Sequence, residues 1–245
     1  MSRGPVVWTP DESAAAGSQL ARYMRWLAEE GGHEHASYEE LWAWSVEDLE
    51  SFWASVWRWF DIRGAPYDAV LADRAMPGAR WFEGTRLNYA EHALRAGAGD
   101  RVAVVEHDEE GPRGELTWDA LRGAVGGAAA GLRERGIGRG DVVVGYLPNS
   151  AEAVIAYLAC ASIGAVWSSC APDLQPSAAL DRFAQLRPAA LIACDGYRYG
   201  GRDHDRRAAM AEVAGALDAL RTPVVVVDRL GLGHPSGCEP WAALA

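Results

Sequence analysis

The sequence predicts an α/β protein, with a helical N-terminal region followed by a partial, mostly parallel sheet flanked by helices. Residues 1–97 are rich in tryptophan and have helical periodicity, whereas residues 98–245 alternate short apolar runs with helical stretches. Within 136–173, two strand-like apolar runs enclose one apolar helix. This pattern is typical of a right-handed parallel crossover. A chain of 245 residues is long enough for two such domains, 1–97 and 98–245.

The N-terminal region contains two predicted helical stretches. In residues 13–30, apolar side chains recur at helical spacing until Gly31-Gly32 ends the pattern. Residues 38–60 carry five tryptophans, and Ser45 followed by two acidic residues predicts a helix start. Rings at this spacing favour a helix packed on a neighbour over an aromatic ligand site.

The middle of the chain has shorter patterns. Residues 66–84 contain prolines and glycines without a clear period and are predicted to be irregular. Residues 102–106 and 116–118 are strand-like and are separated by an acidic, glycine-containing turn, so a hairpin is predicted. The neighbouring carboxylates Glu109 and Glu110 in this turn are predicted to be solvated.

The remaining elements follow the same periodicities. Helices are predicted over 88–94, 119–135, 151–163, 176–186 and 205–220. Strands are predicted over 142–147, 165–169, 190–194 and 224–228. Asn149 and Ser150 are both suitable N-caps for the apolar helix, and Gly164 is suited to end it. Beyond residue 228 no segment is predicted to pack, so the sheet looks unfinished.

Composition restricts the function classes. All 23 basic residues are arginine, which excludes lysine chemistry, and the net charge of −11 disfavours nucleic-acid binding. No apolar run reaches the roughly 18 to 20 residues of a membrane span, and the N-terminus lacks the apolar core of a signal peptide. We therefore expect a cytoplasmic protein without a membrane partner. The four cysteines form no CxxC pair, which argues against a zinc or redox motif.

The motif search yields no catalytic residue and no metal site. The glycines of residues 231–237 do not have GxGxxG spacing and Pro235 lies among them, which argues against a dinucleotide-binding turn. His92 has no partner at the spacing of a metal site or catalytic triad, so a surface or packing role is expected. Walker-type, HExxH and GxSxG motifs are absent from the sequence.

One segment is a candidate binding site. Residues 195–202, DGYRYGGR, begin where a predicted parallel strand ends, which is the edge where ligands gather in open α/β sheets. Arg198 and Arg202 are suited to bind phosphates, the glycines allow the backbone to approach a ligand, and the tyrosines are suited to stack on a ring. The alternative is a solvated loop whose arginines pair with Asp203 and Asp205. Both interpretations stay open on these residues alone.

Several stretches resemble the AMP-forming acyl-CoA ligases of the adenylate-forming superfamily. WFEGTRLNYAEHAL, residues 81–94, resembles the N-terminal signature of the acetyl-CoA synthetase group, and its LNYAE portion is most similar to the acetoacetate–CoA ligases. Residues 116–174 are similar to the first half of the large domain. The pieces GDVV, PNSAEAVIAYLACASIGA and DGYRYGGR fit the family in this order, and the resemblance covers essentially the whole chain.

The resemblance implies a ligase that activates a carboxylic acid with ATP and transfers the acyl group to the thiol of CoA. It implies that Arg198 and Arg202 match arginines that contact CoA phosphates. The implied small molecules are acetoacetate, ATP and CoA, with Mg²⁺, for a full-length member, and none is expected to bind tightly to this part. Acetate and propionate are the alternative acids.

The sequence departs from the family in what it lacks. A Ser/Thr/Gly-rich phosphate loop ending in Pro-Lys is expected shortly after Trp241, and the acid pocket and adenylation lysine belong further on. None of them lies within the 245 residues. We therefore expect an N-terminal portion of a ligase that is inactive alone. A stand-alone module that binds CoA or a nucleotide, and a pseudoenzyme subunit that completes its sheet with another chain, stay open as alternatives.

Overall fold

The computed structural model describes residues 5–244 and divides them into two compact units, one ending at Leu87 and one beginning at Asn88. Residues 1–4 lie outside the described residues. They begin the N-terminal stretch for which no signal peptide was predicted. No helix in the described part of the chain is long and apolar enough to cross a membrane.

The first unit contains four α-helices and a hairpin among its described residues. These are α1 (Glu12–Gly17), α2 (Gln19–Trp26), α3 (Tyr38–Glu47), α4 (Leu49–Trp59), β1 (Ala69–Asp73) and β2 (Arg80–Glu83). The ring of Trp59 lies 5.6 Å from that of Tyr23 and 5.5 Å from that of Trp26, so α4 packs on α2 through aromatic contacts. This confirms the predicted packing role of the aromatic helix.

The helix start predicted at Ser45 is wrong. Ser45 lies inside α3, where its hydroxyl donates to the carbonyl oxygen of Trp42 at 2.7 Å. The break comes at Asp48, whose carboxylate accepts from the N–H of Ser51 at 3.1 Å and caps α4. Both residues are good caps by type, so residue type alone does not separate them.

The irregular structure predicted for residues 66–84 is also wrong. Strands β1 and β2 pair antiparallel, with Leu71 opposite Trp81. Pro66 precedes β1 and Pro77 lies between the strands, where a missing N–H does not interrupt the pairing.

The second unit holds a parallel five-stranded sheet, counted over the described residues, which confirms the predicted α/β class. Its elements in chain order are α5 (Tyr89–Leu94), β3 (Val102–Asp108), β4 (Gly111–Thr117), α6 (Trp118–Glu134), β5 (Val142–Tyr146), α7 (Ala151–Ile163), β6 (Val166–Cys170), α8 (Pro176–Leu186), β7 (Ala190–Cys194), β8 (Gly196–Tyr199), β9 (Arg202–Asp205), α9 (Arg207–Ala216), β10 (Val225–Val227) and β11 (Glu239–Pro240). The strand order is β11-β10-β7-β5-β6.

Helices cover both faces of this sheet. Alternate side chains of β5 point to opposite sides, so Val143 packs with α6 and α7 while Val144 packs with α8 and α9. The central strand β7 is buried along its whole length. Strands buried on both faces read as continuous apolar runs, which explains why their positions were predictable.

The prediction that nothing packs after residue 228 is wrong. Strand β11 pairs parallel with β10, and Leu244 is 1% exposed within the core. The guanidinium of Arg135 holds Glu239, with 2.5 Å between Nη2 and Oε2. Gly131 on α6 makes room for this segment, because a Cβ there would lie 2.0 Å from the Leu244 carbonyl oxygen. A two-residue strand followed by one leucine has no periodicity that a sequence pattern detects.

Candidate functional site

A cleft of about 360 Å³ opens where the strands β5, β7 and β10 end. It is lined by residues that follow these three strands and by the β3–β4 hairpin: Glu106, His107, Asp108, Arg113, Pro148, Asn149, Glu152, Tyr197, Arg198, Asp228, Arg229 and Leu230. The carboxyl edge of an open parallel sheet is the usual place for a ligand in α/β folds. The cleft therefore lies where the sequence predicted a site.

Charged groups hold the floor of this cleft together. Oε2 of Glu106 accepts from the N–H of Ala151 at 3.0 Å, and its Oε1 lies 2.5 Å from Nη2 of Arg229. Arg229 also approaches Glu152, at 3.5 Å. These mostly buried side chains join the β3–β4 hairpin to the start of α7 and to the end of β10.

Ser150 occupies the N-cap position of α7, as predicted, but its hydroxyl makes no capping bond. The hydroxyl is buried and has no hydrogen-bond partner among the described residues. The carboxylate of Glu106 takes over the capping function and adds a negative charge at the positive end of the helix. A cap supplied by a residue 45 positions earlier leaves no local signal in the sequence.

Asp195 is fully buried at the end of β7 and fixes the turn that follows β10. Its carboxylate accepts from the N–H groups of Arg229 at 2.7 Å, Leu230 at 3.1 Å and Leu232 at 3.0 Å. Burial favours a raised pKa for this carboxyl, but the N–H groups of Arg229 and Leu232 outweigh it and hold the pKa below its ordinary value. Asp195 begins the candidate segment 195–202, but the sequence did not indicate this role, because only the fold brings the turn to it.

The segment predicted as a loop, residues 195–202, is instead largely a hairpin formed by β8 and β9. Tyr197 stands opposite His204, with stacked rings 4.9 Å apart, and Tyr199 stands opposite Arg202. The connecting turn is Gly200-Gly201, and both glycines have positive φ, 61° and 69°. Two such residues are characteristic of a tight two-residue hairpin turn.

Arg198 lies at the edge of the cleft in a cluster of carboxylates. Its Nε and Nη2 donate to the two oxygens of Asp203, at 2.6 and 3.1 Å, and its Nη1 donates to Glu110. The hydrogen bonds to Asp203 and Glu110 raise the pKa of Arg198 above its ordinary value. The pairing with Asp203 agrees with the alternative interpretation of this segment, whereas Asp205 pairs with Arg207 instead.

Arg202 and Arg198 lie on opposite faces of the β8–β9 hairpin. Residues opposite each other on paired strands share a face, and successive residues alternate between faces. Arg202 therefore shares a face with Tyr199, and Arg198 shares the other with Asp203. Arg202 is exposed, and no residue of the described range 5–244 forms an ion pair with it.

Glu109 and Glu110 are exposed to solvent, as predicted, but both also have partners that the sequence did not indicate. Oε2 of Glu109 accepts from the N–H of Gly200 at 2.7 Å, and its Oε1 accepts from the N–H of Gly201 at 2.8 Å. Glu110 holds both Arg198 and Arg113. The turn between β3 and β4 thus contacts the β8–β9 turn, a contact that spans about 90 residues of sequence and leaves no local pattern.

The cysteines have no reactive environment. Cys160, Cys170 and Cys194 are buried and free, and burial raises the pKa of the Cys160 and Cys194 thiols to about 12. Within the described residues, no group of three or more His, Cys, Asp or Glu side chains is arranged to hold a metal ion.

Two family models match the sequence. The model of the AMP-binding enzymes matches residues 90–241, and the model of the acetyl-coenzyme A synthetase N-terminus matches residues 38–93. Together they cover α3, α4 and the hairpin of the first unit and nearly all of the second unit.

Individual proteins extend this similarity. The chain is 39% identical over 227 residues to the acetoacetyl-coenzyme A synthetase of Rhizobium meliloti, covering 92% of the chain and 34% of the relative. It is 37% identical over 237 residues to the acetoacetyl-CoA synthetase of Gallus gallus, covering 92% of the chain and 35% of the relative. The chain spans about a third of the length of these curated relatives.

A solved structure matches nearly the whole chain. The acetoacetyl-CoA synthetase from Streptomyces lividans superimposes with a TM-score of 0.92 at 45% identity, covering 97% of this chain and 37% of that one.

Proposed function

Because this chain belongs to the AMP-binding enzyme family, we propose that it forms the N-terminal third of an AMP-forming ligase that joins acetoacetate to CoA. Such a ligase consumes ATP, acetoacetate and CoA and forms AMP, diphosphate and acetoacetyl-CoA. The observation that carries the proposal is the match to the Streptomyces lividans synthetase, at a TM-score of 0.92 over 97% of the chain. The curated relatives named as acetoacetyl-CoA synthetases support acetoacetate as the acid.

Within the ligase, this chain binds the phosphates of CoA at the β8–β9 hairpin. Arg198 supplies a planar guanidinium with several donors at the cleft, and Arg202 supplies an exposed cation on the other face of the same hairpin. The N–H groups of Gly200 and Gly201 lie between the two arginines along the chain. This combination suits a ligand with several phosphate oxygens that approaches the hairpin tip.

We assign no residue of this chain to ATP, to Mg²⁺ or to proton transfer. Transfer chemistry at a nucleotide phosphate needs cations placed against the developing charge. The chain has no lysine, and residues 5–244 offer no cluster that fits a metal ion. We accordingly expect the isolated chain to form no adenylate. We also propose a cytoplasmic location, which the free cysteines support.

A chimera tests the proposal. Residues 1–245 replace the corresponding segment of the Streptomyces lividans synthetase, and formation of AMP and acetoacetyl-CoA is measured for the chimera and for the isolated chain. We expect the chimera to be active and the isolated chain to be inactive. A folded but inactive chimera, with saturable CoA binding by the isolated chain, would instead support a stand-alone CoA-binding module.

The CoA site is tested in the same chimera. Arg198→Ala and Arg202→Ala each remove a phosphate contact, so the KM for CoA should rise roughly tenfold per residue, as for the loss of one charged hydrogen bond. Arg133→Ala removes an exposed arginine from α6 and serves as the matched control, with an unchanged KM.

A further inference from the structure

The turn between β3 and β4 occupies the phosphate-binding end of the β8–β9 hairpin. We call residues 108–110 the acidic tip. Both oxygens of Glu109 accept backbone N–H groups, from Gly200 at 2.7 Å and from Gly201 at 2.8 Å. At the same time Glu110 accepts from Nη1 of Arg198. The acidic tip therefore engages the backbone donors of the turn and one of its two arginines.

The geometry of Gly200 and Gly201 is that of an anion site. Both have positive φ, and a Cβ added at either would meet no atom within 4 Å. Glycine is thus required here for the backbone conformation and not for close packing. The conformation directs two successive N–H groups at one carboxylate, as in the backbone concavities that bind phosphates.

The contact between Glu110 and Arg198 can be broken at low cost. The side chain of Glu110 is 49% exposed, and exposed charge pairs are weak. Arg113 donates to Glu110 at 2.9 Å from within the same hairpin, so Glu110 keeps a cation when it leaves Arg198. Asp203 stays on Arg198 through two hydrogen bonds and holds the guanidinium in place.

We propose that Glu109 and Glu110 are a built-in competitor for the anionic ligand of this hairpin, and that a phosphate group of CoA displaces them when it binds. The inference rests on the proposed function, which places CoA here. A phosphate carries more charge than a carboxylate and presents more acceptor oxygens, so it replaces Glu109 at the two N–H groups. While Glu109 and Glu110 occupy the hairpin, the ligand cannot bind. The apparent association constant therefore equals the intrinsic one multiplied by the fraction of molecules in which the site is open.

Calorimetric titration of the 245-residue chain tests this competition, with CoA and with inorganic pyrophosphate as separate ligands. The double variant Glu109→Ala/Glu110→Ala should bind both ligands roughly three- to tenfold more tightly than the unmodified chain, because the competing state is removed. Glu115→Ala removes the same charge from an exposed position on β4 and should leave both affinities unchanged. Glu109→Gln, which keeps the shape of the side chain, should give an intermediate gain.

The outcomes separate the competitor from the CoA site. One outcome is that Arg198→Ala loses CoA binding while the acidic-tip variants bind CoA as tightly as the unmodified chain, or less tightly. The acidic tip is then a structural clamp, which contradicts the competitor and supports the CoA site. Tighter pyrophosphate binding without any CoA binding would support the competitor and contradict the CoA site. If neither ligand binds any variant, the competitor is contradicted, and the KM of the chimera for CoA then decides separately on the CoA site.

Discussion

At the scale of single residues, a few polar side chains carry out two tasks at once. Asn88 caps α5 by accepting from the N–H of Glu91 at 3.2 Å. Its amide group also donates to the carbonyl oxygens of Ser162, at 2.9 Å, and Ala161, at 3.2 Å, near the end of α7. The side chain thus connects the start of α5 to the end of α7. This is the structural role of the asparagine in the LNYAE stretch.

Substitution of Asn88 should separate the two tasks. Asn88→Asp keeps the capping oxygen but places a carboxylate against two carbonyl oxygens, so we expect a loss of about 2 kcal/mol in the free energy of unfolding at neutral pH. Asn88→Ser keeps the cap without the repulsion and should cost about 1 kcal/mol. Urea unfolding measures both variants, and a stability unchanged in both would show that the bonds to α7 do not matter.

Asp195 should make stability depend on pH in acid. Its folded-state pKa lies below the ordinary value, so its contribution is fully present above the unfolded pKa of about 4 and is lost as the pH falls through the folded value. Asp195→Asn should cost about 2 to 3 kcal/mol at pH 7, because the amide presents N–H groups to backbone donors. Urea unfolding of both proteins should show this difference shrinking below about pH 4. A difference that stays constant with pH would contradict the role of the carboxylate.

At the scale of elements, the β3–β4 hairpin is attached to the sheet by charge as well as by packing. Glu106 connects it to the first N–H of α7 and to Arg229 after β10. Only about an eighth of the Glu106 side chain is exposed, so its charge is compensated by these partners more than by water. The hairpin also forms one wall of the cleft, and its attachment therefore determines the shape of the site.

Removal of this charge should be costly. Glu106→Gln removes the closer carboxylate partner of Arg229. Among the described residues, Arg229 then forms an ion pair only with Glu152, at 3.5 Å. We therefore expect a loss of about 2 to 3 kcal/mol in the free energy of unfolding. Glu115→Gln, on the neighbouring strand and exposed, should cost less than about 0.5 kcal/mol. Chemical denaturation distinguishes them, and similar losses for the two variants would argue against the network.

At the scale of the whole molecule, the predictable features are those with a local period. The apolar runs of β5 and β7 and the helix Ala151–Ile163 were placed correctly because burial on both sides leaves a continuous pattern. Strand β11 and Leu244 were missed because two residues have no period. The contacts of Glu106 with α7 and of Glu109 with Gly200 were missed because they join positions 45 and 91 residues apart.

We propose that this chain supplies the CoA-phosphate site of an acetoacetate–CoA ligase and leaves adenylate formation to other residues. The most direct measurement separates the two half-reactions in the Streptomyces lividans chimera that carries Arg198→Ala and Arg202→Ala. We predict that acetoacetate-dependent exchange of pyrophosphate into ATP stays at the level of the unsubstituted chimera, while thioester formation needs a roughly hundredfold higher CoA concentration, as expected for two lost charged contacts. A slower exchange reaction with an unchanged CoA requirement in the residual thioester formation would contradict this proposal.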